Sequence, residues 1–236
     1  MPWGRWSRLA PARTSRYGAR VEPLYKASEE AERVGLGTDA LRAAVEYVYE
    51  TAEAIDMALL SRGSDRLADI VELANLSSMI GNLLRSGIAN NSGGRLRSNG
   101  PHKHPDLVHC DGPDCSVEIK VALEDNQPKG HLAKPGLHLT CHYVLCGADS
   151  RFCPGVANRG SVPRIWLLRF GRLEESHFNL SNTEGDSGKT AVVNAEGMRR
   201  LAPVYFAPDL CPLAMSAGAR KSRELFGHFG LQFVPR

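Results

Sequence analysis

No stretch of this 236-residue chain approaches the roughly 18 consecutive apolar residues that a membrane-crossing helix needs. A secretory signal is missing too, because residues 1–20 carry Arg5, Arg8, Arg13, Arg16 and Arg20, no acid and no apolar stretch. The expectation is therefore a cytoplasmic protein without a disulfide framework, its six cysteines reduced. Several catalytic signatures are also absent. There is no Gly-x-Ser-x-Gly elbow, no cysteine in a telling neighbourhood and no dinucleotide fingerprint. Gly185-Asp186-Ser187-Gly188-Lys189-Thr190 ends like a phosphate-binding loop, but it lacks the full glycine spacing and a preceding strand, and it reads as a turn. Internal repeats are absent, as are low-complexity blocks outside the basic N-terminal arm.

The composition present, 42% hydrophobic and 23% charged, is that of an ordinary globular protein, long enough for one sizeable domain with a small helical addition. The net charge of +3 does not by itself argue for a polyanionic partner. Its distribution says more: Arg95, Arg97 and Lys103 share one glycine-rich loop, Arg164, Arg169 and Arg172 one segment, and Arg199 with Arg200 another. Residues 1–25 read as a disordered basic arm, with an over-extended start or a transit-like segment as alternatives.

Residues 26–63 read as a helical region. Leu41, Val45, Val48, Ala52, Ile55 and Leu59 recur at three- and four-residue steps and form one apolar stripe. Gly35 and Gly37 divide the region, with Thr38 or Asp39 capping its second helix and Gly63 stopping it. Ser64 is expected to cap another helix running to about Ser86, with Leu67, Ile70, Val71, Ala74, Leu83 and Leu84 inward, ended by Asn90-Asn91-Ser92-Gly93-Gly94. Beyond residue 100, short β-branched and aromatic runs predict strands at Asp106–His109, Ser116–Leu123, Leu137–Leu145, Arg164–Arg169 and Pro203–Phe206. Val192–Leu201 is expected to be at least partly helical, and residues 216–228 to form a small basic helix within a tail at 214–236. Consecutive strands without intervening helices point to hairpins in an α+β or mixed α/β sheet.

Chemistry concentrates in Pro105-Asp106-Leu107-Val108, a turn at Asp111–Asp114, and Val117-Glu118-Ile119-Lys120-Val121. On the second strand Val117, Ile119 and Val121 share one face, Glu118 and Lys120 the other. Asp106, at the start of the first strand, can lie near Glu118. Two carboxylates beside an ammonium would bind a hard divalent cation and position a water. The plain alternative is an amphipathic edge strand whose Glu118 and Lys120 are solvated.

The Pro-Asp, the spacer of about a dozen residues and the Glu-Ile-Lys resemble the PD-(D/E)xK nucleases, which include many type II restriction endonucleases. The resemblance is firmest over residues 99–146. It implies a restriction-endonuclease-like mixed β-sheet core flanked by helices, here over residues 64–213, and magnesium-dependent hydrolysis of DNA phosphodiesters. It further implies that Asp106 and Glu118 hold the Mg2+ and that Lys120 orients or activates the attacking water. Because the family's leading helix often carries an acid near the metal, Glu72 becomes the candidate fourth catalytic residue. Double-stranded DNA is the implied partner. Read from the residues themselves, Arg95, Arg97 and Lys103 of the glycine-rich loop are candidates for backbone contacts and Lys129 or His131 for phosphate, with Glu124 a further acid behind the site. The plain alternative for residues 124–131 is a surface turn shaped by Pro128 and Gly130. A homodimer and a companion DNA methyltransferase encoded nearby would accompany a restriction role; a repair or mobile-element nuclease is the nearest variant.

A second metal reading competes. Cys110-x4-Cys115 and Cys141-x4-Cys146, with His102, His104, His109, His131, His142 and Cys153 nearby, could supply a structural Zn2+ site, although tight pairs usually have two-residue gaps. Cys141 and His142, adjacent on a strand, would face opposite ways. Without the acidic site, zinc would make the chain a non-enzymatic DNA-binding protein.

Overall fold

The computed structural model describes residues 22–100, 103–181, 190–213 and 219–232. Residues 1–21, most of the Gly185–Thr190 turn, His102 and parts of the 214–236 tail lie outside them. Leu24–Tyr25 form a short strand, β1, so the expected arm ends before residue 25. Ser28 then caps α1, Glu29–Arg33, by accepting from the Ala31 amide, with three acids in the first turn favoured by the helix dipole. α2 is Thr38–Leu60, and the apolar stripe of the sequence buries Leu41, Val45, Val48 and Ala52. Its N-cap is Gly37, without a side-chain bond, rather than Thr38 or Asp39.

The helix expected from Ser64 is broken in two. Buried Asp56 of α2 accepts from the Leu67 amide at 2.9 Å and from Arg66 Nη1 at 2.8 Å. A carboxylate from another helix thus takes the capping role, and the short α3, Leu67–Ile70, starts there. Val71 and Glu72 are extended, and α4 runs Leu73–Asn91. The break resets the helical phase: Leu76, Ile80, Leu84 and Ile88 are buried, whereas Ile70 and Ala74 are exposed. Ser92, Gly93 and Gly94 end α4, both glycines at positive φ, as their sequence foretold.

α2 and α4 cross at Gly87. A Cβ there would lie 2.9 Å from Ala44 Cα and 2.9 Å from its carbonyl oxygen, which is backbone and cannot swing aside. Gly87→Ala is therefore expected to destabilise the protein by about 1–2 kcal/mol, overpacking outweighing the helix-propensity gain. Urea denaturation reads this directly; an unchanged midpoint would mean that the helices part at no cost.

The remaining strands are β2 Leu96–Ser98, β3 Leu107–His109, β4 Val117–Leu123, β5 Lys129–Gly130, β6 Gly136–Cys146, β7 Val162–Leu173, β8 Phe178–Ser181, β9 Thr190–Val193 and β10 Ala202–Phe206. α5 is Ala195–Arg200 and α6 is Ala219–His228. Seven strands form a mixed α/β sheet in the order β1-β10-β7-β6-β4-β3-β2, and β5-β9-β8 form a smaller one. Among the described residues, β4 and β6 are the one parallel pair and the other pairs are antiparallel. β6, buried almost end to end, is the central strand. Residues 192–201 are helical in part, as expected, over Ala195–Arg200. Ala191 and Val193 alternate inward as strand, and Asn194 caps α5 by accepting from the Gly197 amide.

The main core lies on one face of the large sheet, where α4 and α2 meet Val117, Ile119, Leu137, Leu139, Cys141 and Phe170. Two smaller clusters cover the other face, one around Trp166, Phe206 and Phe226 and one around Phe178, Val193 and Leu201. Among the described residues, no helix is long and apolar enough to cross a membrane.

Candidate active site

β4 lies between β3 and β6, so it is an internal strand. Its apolar side chains, Val117, Ile119 and Val121, turn toward α4, with Gly81 packed on Val121. Alternation then sends Glu118 and Lys120 to the opposite face. Glu118 is 3% exposed and Lys120 9% exposed, which overturns the alternative of a solvated edge strand. Charged side chains this deeply buried need partners or a ligand.

Asp106 stands immediately before β3, and its Oδ2 accepts from the Ile119 amide at 2.8 Å. That bond anchors its carboxylate beside Glu118. Burial, and then the Glu118 charge, raise the Asp106 pKa. Burial pushes Glu118 the same way, but the Lys120 charge and hydrogen bonds from Lys120, Lys134 and His104 outweigh it and hold Glu118 at about 2. Glu118 Oε1 accepts from Lys120 Nζ and from Lys134 Nζ, the latter at 2.8 Å, while Oε2 lies 2.7 Å from His104 Nδ1. Gly130 of β5 closes over the lysine, because a Cβ there would lie 3.0 Å from Lys120 Nζ.

The polar face continues inward. Glu118 pairs with His138 and Lys120 with Thr140 across β4 and β6, and Thr140 pairs with Arg169 on β7. His138 Nε2, Thr140 Oγ1, His142 Nε2 and Arg169 Nε are buried without hydrogen-bond partners among the described residues. Burial lowers His138 and His142 to about 4 each. A histidine depressed in the folded state stabilises the fold above its unfolded pKa of about 6.5, and that contribution is lost as pH falls toward 4. Stability should therefore drop between pH 6.5 and 4 by roughly 1–3 kcal/mol per histidine. Denaturation at stepped pH checks this; His142→Gln should flatten the slope, and an unaltered slope would assign the loss to other groups.

The other candidate residues are placed unevenly. Glu72 is the exposed N-cap of α4, and the sheet stands between that helix and the face bearing Glu118. Glu124 is six positions beyond Glu118, roughly 20 Å along an extended chain, and its Oε1 accepts from Arg159 Nη2 at 2.8 Å. Arg95 donates to the Glu32 and Arg33 carbonyls and so ties down the end of α1. Arg97 is exposed on β2, at the sheet edge. Lys103 adjoins His104, and Lys129 and His131 flank Gly130 in the chain; all three are exposed. The sequence reading omitted Lys134 and gave His104 only to the zinc alternative.

All six cysteines are free thiols. Cys141 lies in the core beneath α4 and His142 beside Trp166 on the other face, as alternation requires. Among the described residues, the set of three metal-ligand atoms within 4.8 Å is His109, Cys110 and Asp111, which takes one cysteine of the first pair and leaves out Cys115, Cys141 and Cys146. Asp106, Glu118 and His104 do not form such a set in this state. Asp106 and Glu118 nonetheless suit magnesium chemically: both are hard oxygen donors, and few enough to leave positions for water and phosphate. Asp106 Oδ1 accepts no hydrogen bond among the described residues, whereas both Glu118 oxygens are engaged. No family model matches the chain, and no curated protein matches it.

Proposed function

We propose that the chain is a magnesium-dependent endonuclease that hydrolyses DNA phosphodiester bonds, a PD-(D/E)xK enzyme of the type II restriction class. The observation that carries this reading is the buried Glu118–Lys120 pair on an internal strand, with Asp106 hydrogen-bonded across to Ile119. The order of elements supports it as well. α4 leads into the antiparallel run β2-β3-β4, and β6 then joins β4 in parallel. Glu72 departs from the pattern, so the metal-holding role falls to Asp106 and Glu118.

Bound there, magnesium would neutralise phosphate charge and lower the pKa of a coordinated water. Lys120 Nζ, fixed between Glu118 and Gly130, orients the attacking water and faces the charge that develops on the phosphate. The water oxygen bonds to phosphorus as the bond to the leaving sugar oxygen breaks; the water gives up a proton to solvent, and the leaving oxygen takes one from solvent to become a hydroxyl. Lys103, Lys129, His131 and Lys134 supply sequence-independent attraction for the DNA backbone.

Plasmid cleavage with and without magnesium, comparing wild type with Asp106→Ala, tests the reading. Discrete, magnesium-dependent fragments lost in the variant are expected. Diffuse nicking with the same dependence would move the role toward repair or mobile-element processing; no cleavage of methylated or unmethylated substrates would end it. The His109, Cys110 and Asp111 cluster favours a second reading, a zinc-containing DNA-binding module. Stoichiometric zinc in purified protein, lost in Cys110→Ala, with DNA bound but not cut, would establish that alternative.

A further inference from the structure

We propose that Lys134 is a second working lysine of this site, one that holds Glu118 until a divalent cation arrives and then passes its ammonium to the scissile phosphate. The inference rests on the reading of Glu118 as a cation ligand. Two ammonium groups, Lys120 and Lys134, share the single oxygen Glu118 Oε1, while His104 occupies Oε2. A magnesium ion approaches a carboxylate oxygen to about 2.1 Å. It cannot do so while both ammonium groups remain, because three cationic centres around one oxygen repel at short range.

The two lysines differ in which can leave. Lys120 issues from β4 itself, its side chain is 10% exposed, and Gly130 packs against its ammonium. Lys134 comes from the crossover between β4 and β6, four residues beyond β5, and its side chain is 28% exposed. It is therefore the group that yields. Without the cation, Asp106 and Glu118 are balanced by Lys120 and Lys134, and the site has no net pull on an anion. Once the cation displaces Lys134, the same groups carry a surplus of positive charge, and a free ammonium with three donors waits at the mouth for a phosphate oxygen. Cation and DNA backbone then bind cooperatively.

The test is Mn2+ titration of the metal-free full chain by calorimetry, paired with single-turnover cleavage in saturating magnesium. The wild type would be compared with K134M, K134Q and K134R. Removing the competing ammonium in K134M and K134Q should tighten Mn2+ binding roughly 5-fold, the value of a partly exposed ion pair. Cleavage in both should slow by about 100-fold through loss of a phosphate contact, with K134R restoring most of it. A merely structural lysine would not tighten metal binding while slowing cleavage. Unchanged or weaker Mn2+ binding in both neutral variants, or cleavage within twofold of wild type, overturns the role of Lys134 and leaves the nuclease reading standing. If neither wild type nor variants bind Mn2+, the cation reading of Glu118 falls and takes this inference with it.

Discussion

Lys120→Ala is expected to lower magnesium-dependent cleavage by about 1,000-fold while changing stability little. The two effects separate because of how Glu118 is surrounded. When the Lys120 ammonium is removed, the buried carboxylate keeps Lys134 on one oxygen and His104 on the other. It is not left as an uncompensated charge, so the usual penalty for breaking a buried pair is largely avoided. Chemistry loses the more deeply fixed of the two ammonium groups, the one proposed to orient the attacking water. Single-turnover cleavage of an oligonucleotide duplex, run beside chemical denaturation of the same preparation, measures both quantities. Wild-type cleavage in the variant would remove Lys120 from the mechanism, and a collapse of stability would mean that Lys134 and His104 do not support Glu118 alone.

Glu118→Ala should differ from it in stability. Its loss strands the Lys120 ammonium inside the fold, with Lys134 and His104 also deprived of their acceptor. Breaking a buried pair from one side costs about 3–5 kcal/mol, because the remaining charge keeps its desolvation penalty without its partner. Removing the second charge as well, in Glu118→Leu with Lys120→Met, should recover most of that loss, since apolar residues of similar volume often replace a buried pair without cost. The comparison is a double-mutant cycle of Glu118→Leu, Lys120→Met and the two together, read by urea denaturation. Losses that simply add would show that the two side chains do not depend on each other. Cleavage should vanish in both variants.

Much of this site was legible in the residues. Alternation along Val117–Val121 placed Glu118 and Lys120 together, and the Pro-Asp signal placed Asp106 at the first strand's edge. His104 had no such signal, because residues 104–106 form bends rather than strand and the alternation rule does not reach them. Lys134 had none, because its position depends on the path of a crossover that carries only a two-residue strand. Glu72 is instructive. The apolar stripe of α4 must meet Val117, Ile119 and Val121, so an acid at that helix's start belongs to the face opposite Glu118. The helix break near Val71 was hidden because the capping carboxylate, Asp56, comes from another helix. β1 and β5 were missed for a similar reason: two residues carry no periodic pattern, and only their distant partners make them strands.

β1 has one more consequence, for the order in which the molecule assembles. Leu24 pairs with Phe206, and Lys26 Nζ reaches the His228 carbonyl 202 positions away. Contacts this remote in sequence are slow to close. On a ribosome, β1 must therefore wait for β10, the last of the described strands to be made, and β10, when it joins β7, still has an open flank until β1 returns. That edge of the large sheet is thus covered late, and until β1 returns β10 presents a row of unpaired backbone groups to any other strand.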